Sequence, residues 1–246
     1  MTSRPSAAAE IEKLKACLAG FVERLRAAIG DELISVVLFG GAARGSFDPT
    51  RSDANVMLVL RKVSMPMLDE IALAAEPVRR EFALSLLTVT EEDLGDSAEL
   101  FPTKFLDIQR NHETLWGRPV AASLAVPRDR LLRQARRELM NLHLRLRQVY
   151  LESRKRPEQL DAMIRRSTTT LTLNLGLLLE LRNGQPCEDP AALLDAAARA
   201  GLDRAPLAQI VELKQARTSM NVAELLRLYA ALMALVEATI RVADAG

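Results

Sequence analysis

The sequence predicts an α/β (α+β) protein in which a mixed-sheet domain precedes an all-α helical bundle. Three observations carry this. Two short apolar runs, 33–39 and 55–60, flank a glycine-rich loop; helical and strand-like patterns alternate around them; and from Arg128 onward the apolar period is helical throughout. A chain of 246 residues, 49% of them hydrophobic, has material for two modest cores. The stretch Pro119 to Pro127 reads as the boundary, giving domains of residues 1–120 and 121–246.

The elements follow in order. After a few loose residues, Ile11, Leu14, Leu18, Phe21, Val22 and Leu25 recur at helical spacing, and Gly30 is a natural stop. LISVVLF is short, rich in β-branched residues and ended by Gly40-Gly41, while the second strand opens just after Ser52-Asp53. A helix is predicted over Met65–Arg80 and a third strand over FALSLLTVT. Then come an acidic loop, EEDLGDSAEL, a short helix over Lys104–Arg110 and a strand at HETLWG. In the second half, Leu132, Ala135, Leu139, Leu142, Leu146 and Val149 repeat at alternating steps of three and four, the stripe of a packed helix. Helices are predicted over 128–154, 157–182, 188–201, 204–217 and 221–243. They are separated by Pro157, the turn Asn183-Gly184-Gln185-Pro186, Gly201, and Asn221 as an N-cap.

Composition removes several function classes. Lys plus Arg number 33 against 32 Asp plus Glu, so bulk charge gives no reason to expect a nucleic-acid partner. The arginines of 128–147 flank an apolar seam without interleaved aromatic residues, which argues against base stacking. Cys17 and Cys187 have no ligand-like neighbours, so neither a disulfide framework nor a zinc site is expected. The first residues lack the apolar core of a signal peptide, and the most apolar stretch, Leu175–Leu181, is too short to span a bilayer. The expectation is a cytoplasmic protein with no membrane partner.

The segment LFGGAARGSFDPTRSDANVMLVL carries the chemistry. It resembles the signature of the minimal and aminoglycoside nucleotidyltransferases, of the DNA polymerase beta-like superfamily. In that signature a strand ends in Gly-Ser, a short helix ends in Gly, and a Ser-Asp-x-Asp strand follows. Two carboxylates one residue apart on a strand share a face and can jointly hold magnesium ions bridging a triphosphate and an attacking hydroxyl. Gly40, Gly45, Ser52 and Asp53 match the pattern, whereas Gly41 stands at the phosphate-binding serine and Asn55 at the second aspartate. Asn55 offers a neutral amide oxygen in place of a full negative charge, so metal affinity should fall. The resemblance places a third carboxylate near Ser85, with acids only at the strand edges in Glu81, Glu91, Glu92 and Asp93.

A second segment, FPTKFLDIQRNHETLWGRP, resembles the FPxEFLDxK…LYG stretch of a bacterial group of nucleotidyltransferase-domain proteins of undefined role, with Lys104 in place of the glutamate. The resemblance implies nucleotide binding through Gly40, Gly41, Arg44, Gly45 and Ser52. It also implies Mg2+ held by Asp53 and Asn55 if the site is active. The reaction would transfer a nucleoside monophosphate from a nucleoside triphosphate to a hydroxyl acceptor, weakened or absent here. The competing reading is a noncatalytic protein-interaction module whose bundle serves homodimerisation or regulation. A third, weaker reading is a HEPN-like ribonuclease, from Arg137 and His143 on one predicted helix. In RRSTTTLTLNL, Arg166, Thr170 and Asn174 form a polar stripe suited equally to a substrate cleft and to side chains bonding back along a helix.

Overall fold

The computed structural model describes residues 7–50, 52–187, 189–213 and 220–244, the side chain of Ala7 apart. The chain divides into two compact units, Met1–Pro127 and Arg128–Gly246. The first holds helix α1 (Ala7–Ile29), strands β1 (Leu33–Phe39) and β2 (Ala54–Leu60), helix α2 (Met65–Arg79) and strand β3 (Leu84–Thr90). Helices α3 (Asp93–Leu100) and α4 (Pro102–Arg110) and strand β4 (His112–Gly117) complete it. The sheet order is β3-β2-β1-β4. β2 and β3 run parallel while β1 is antiparallel to both its neighbours, so the sheet is mixed as the sequence predicts.

β1 and β2 read as unbroken apolar runs because both of their faces are covered. Val36, Leu38, Val56, Leu58 and Leu60 enter a core with α1 and α2, while Val37, Phe39, Met57 and Val59 enter a second core with Phe105 and Ile108 of α4. The β1 register shifts beside Ser35, a fully buried hydroxyl that donates to the carbonyl of Arg118 at 2.7 Å. The acidic loop expected after β3 is instead the helix α3. Thr90 accepts a hydrogen bond from the Asp93 amide and donates to its carboxylate, supplying a start signal that the acidic composition masks. Ala121 and Leu124 pack into the core containing α4.

Among the described residues the regular elements of the second unit are all helices: α5 (Arg128–Ser153), α6 (Pro157–Asn183), α7 (Pro190–Arg199), α8 (Arg204–Leu213) and α9 (Val222–Asp244). Residue 188, where the third predicted bundle helix was to begin, and 214–217 at the end of the fourth lie outside the described residues. Asn221 caps α9 as expected, its Oδ1 accepting from the Glu224 amide while the Glu224 carboxylate accepts from the Asn221 amide. At the centre of the core, Tyr229 donates to the carbonyl of Leu146 at 2.7 Å, and burial pushes its phenol up to about 12. Among the described residues no helix is long and apolar enough to cross a membrane.

Gly117 closes the pairing of β4 with Ser35, at φ +84°, and a Cβ there would meet the Ile34 carbonyl oxygen at 2.1 Å. Gly117→Ala therefore forces both a left-handed alanine and a backbone clash. Urea unfolding should show a loss of about 3 kcal/mol or more, large for one methyl group. A loss under about 1 kcal/mol would mean that this edge of the sheet is not closed as described.

Candidate functional site

β1 is buried along its length, so the chain must leave the sheet abruptly at its end. Gly40 does this at φ +73° and Gly45 ends the loop at φ +80°, conformations that residues with a Cβ seldom adopt. The short helix implied after Gly40 is instead a run of hydrogen-bonded turns over 40–45. The Arg44 amide donates to Gly40, Gly45 to Ala42, and Ser46 to Gly41. Among the described residues the amides of Gly41, Ala42 and Ala43 donate to no acceptor. Successive unbonded N–H groups in one turn make a nest of partial positive charge suited to phosphate oxygens.

The sheet brings Asn55 to this turn, because Phe39 pairs with Asn55 across the β1–β2 ladder. Asn55 shares its face with Met57 and Val59, the face that α4 covers. Its Nδ2 lies 3.5 Å from the position a Gly40 Cβ would take and donates to the Asp53 carbonyl at 3.3 Å. Asp53, one residue before β2, is exposed, and among the described residues its carboxylate has no hydrogen-bond or ion-pair partner. Ser52 is tied into its own loop, its amide donating to the Asp48 carbonyl at 2.8 Å.

Sequence reasoning missed two residues of α4 and its end, Asp107 and Asn111. The Gly40 amide donates to the Asn111 carbonyl at 3.0 Å, docking the end of α4 on the turn. Asp107 then lies 3.9 Å from the Gly40 Cβ position and accepts from Arg44 at 2.6 Å and from the Asn111 side chain at 2.8 Å. The signal available was the spacing of four between Asp107 and Asn111, which places both on one side of a helix end. Both lie within the second family-like segment.

Three of the four acids offered at the strand edges go elsewhere, and Glu92 is exposed. Glu81 pairs with Lys13, Glu91 with Arg118, and Asp93 with Thr90. Ser85 stands beside Asn55 in the parallel register, so the adjacent strand adds a hydroxyl and no charge. Among the described residues no group of three or more His, Cys, Asp or Glu gathers as a metal site. A magnesium pair needs several oxygen donors with at least two negative charges. Around the turn Asp53, the neutral Asn55 amide and Asp107, itself paired with Arg44, fall short of that donor set.

No family model matches the chain, and no curated protein matches it. Solved structures do, in 10 chains. One is spectinomycin adenyltransferase AAD(9) from Enterococcus faecialis, solved with ATP and spectinomycin. It aligns with a TM-score of 0.53 and 11% identity, covering 91% of this chain and 98% of that one. The fold is nucleotidyltransferase-like. At that identity the likeness is one of fold, and the chemistry of this nucleotidyltransferase-like chain rests on its own residues.

The Arg137–His143 pair does not form an exposed couple. Arg137 is exposed and bonds Gln134, whereas His143 is 6% exposed within the bundle core. Burial, aided by the Arg147 charge, lowers the His143 pKa against an opposing pull from Glu237. A depressed folded-state value means the unfolded chain binds the proton more readily, so stability is lost as pH falls below about 6.5. Thermal melts from pH 7.5 to 5 should show a decline that His143→Gln reduces. An unchanged slope in the variant would show that His143 is not the titrating group.

The Arg44–Asp107 ion pair is roughly half exposed on both sides, so it contributes at most about 1 kcal/mol and a phosphate can displace it. Asp107→Asn releases Arg44 and removes a negative charge from the turn. It should tighten triphosphate binding about two- to tenfold in a titration at low salt, fading as salt rises. Equal affinity in both proteins would place the phosphates elsewhere.

Proposed function

We propose that this chain binds a nucleoside triphosphate at the turn of residues 40–45 and transfers its nucleoside monophosphate weakly or not at all. The observation that carries the reading is the trio of unbonded amides at Gly41, Ala42 and Ala43, with Arg44 beside them. Gly40 and Gly45 provide the backbone shape, and Ser52 and Asp53 border the entrance to the second strand. The fold-level neighbour was solved with ATP, which agrees with a nucleotide ligand for this site.

The weak-transfer half rests on charge. Displacement of pyrophosphate by a hydroxyl needs the developing negative charge offset and the hydroxyl proton accepted. Asp53 is one carboxylate where the family pattern has two, Asn55 is neutral, and Asp107 is held by Arg44. Among the described residues Asp53 alone of these has an unpartnered carboxylate, and no second carboxylate stands beside it to complete a metal pair. Binding and chemistry are thereby separated: the amide nest needs no metal to attract phosphate, while transfer does need the missing charge.

Isothermal titration of the full chain with ATP, GTP, CTP and UTP, each with and without magnesium, tests both halves. Binding should appear without magnesium and weaken about three- to tenfold in Arg44→Gln. Asn55→Asp, which restores the second carboxylate, should make affinity rise on adding magnesium. No binding at millimolar nucleotide would sink the nucleotide reading and leave the noncatalytic interaction module. Steady pyrophosphate release by the unmodified protein would contradict the reading of weakened transfer.

A further inference from the structure

Helices α5 and α6 run antiparallel. The Arg128 guanidinium at the start of α5 donates to the Leu181 carbonyl near the end of α6, and Ser153 bonds Gln159 where the helices join. Residues 138, 141, 142 and 145 of α5 repeat at the spacing i, i+3, i+4, i+7, as do 163, 166, 167 and 170 of α6. These faces flank the apolar seam of the two helices, and Asn141, Arg145 and Arg166 on them are exposed. Of their residues Leu142 and Met163 alone are apolar, and the two faces line a cavity of about 150 Å³ that is open to solvent. A single water needs roughly 10–15 Å³ on the same measure, so the space admits a small organic molecule.

The charges around the cavity are unbalanced. Arg133, Arg136 and Arg165 on the same helices pair with Asp129, Asp244 and Asp161. Arg145 and Arg166 border the cavity and, among the described residues, have neither an ion-pair nor a hydrogen-bond partner. Two unpaired guanidiniums on one lining make it electropositive, and an oxyanion there can accept hydrogen bonds from both forks. Glu138 lies seven residues from Arg145 along α5, about 10 Å away by helical rise. Among the described residues it accepts one hydrogen bond, from Gln134, leaving a carboxylate with capacity for another donor. Thr170 stands with it on the lining.

We propose that this cavity binds a small molecule carrying an oxyanion at one end and an amino or hydroxyl group at the other. Arg145 and Arg166 take the oxyanion, and Glu138 and Thr170 take the donor group. Leu142 and Met163, both buried, form an apolar floor that fits a short carbon chain between the polar ends. The site is separate in residues from the turn of 40–45, so its fate does not depend on nucleotide binding there.

The test is calorimetry of the full chain with phosphoethanolamine, orthophosphate and ethanolamine as probes. Phosphoethanolamine should bind more tightly than orthophosphate, and ethanolamine should not bind. The double variant Arg145→Gln, Arg166→Gln should lose at least ~10-fold in affinity for both phosphates. Glu138→Gln should weaken phosphoethanolamine alone. Both arginines are exposed, so the double variant should keep the wild-type melting temperature. Amide shifts of Asn141 and Thr170 in the unmodified protein provide a reading that needs no variant. The proposal is overturned if phosphoethanolamine gives no heat at millimolar concentration, if the double variant binds as wild type does, or if Glu138→Gln leaves phosphoethanolamine affinity unchanged.

Discussion

One hydrogen bond, from the Gly40 amide to the Asn111 carbonyl, ties the end of the central strand to the end of α4. Its setting makes it decisive. β1 is buried on both faces and paired on both edges, so the chain has to turn out of the sheet within one residue, and only a positive φ at Gly40 permits it. Once that turn is fixed, α4 is anchored by its last turn. Asp107 then meets Arg44, and Asn55, the register partner of Phe39, lies against the glycine. The site thus takes its shape from a strand end and a helix end, both held by buried apolar residues such as Phe105 and Ile108.

Within that shape, the balance of charge separates two capacities that a nucleotidyltransferase-like fold can combine. Phosphate needs hydrogen-bond donors and positive potential, and the turn offers amides that have no acceptor among the described residues, together with a guanidinium on a weak ion pair. Phosphoryl chemistry needs concentrated negative charge for metal ions, and beside this turn stand Asp53 just before β2, the neutral Asn55 on it and, next to Asn55, Ser85 on β3. Asp107 brings a carboxylate onto the site from a helix, but it arrives already matched to Arg44 and Asn111.

Much of this was legible in the sequence because it depends on local pattern. The apolar runs of β1 and β2, the glycine pair between them, the helical period of 128–154 and the Asn221 cap each declare themselves within a few residues. Three features did not. α3 hides behind acidic residues because its start signal, Thr90 with Asp93, lies in the preceding strand end. The fates of Glu81 and Glu91 are set by Lys13 and Arg118, partners distant in sequence. Asp107 became a site residue only through tertiary docking of α4, which no periodicity reports. In the bundle, the stripe of α6 divides: Asn174 bonds back to the Thr170 carbonyl, whereas Arg166 and Thr170 face the cavity shared with α5.

The central claim is that phosphate sits on the amides of the glycine turn, and those amides can be observed one by one. In ¹H–¹⁵N spectra of the full chain titrated with magnesium-free ATP, the Gly41, Ala42 and Ala43 resonances should move first and furthest, downfield as their protons gain an acceptor. Saturable shifts confined to other parts of the chain, with these three amides unmoved, would contradict it.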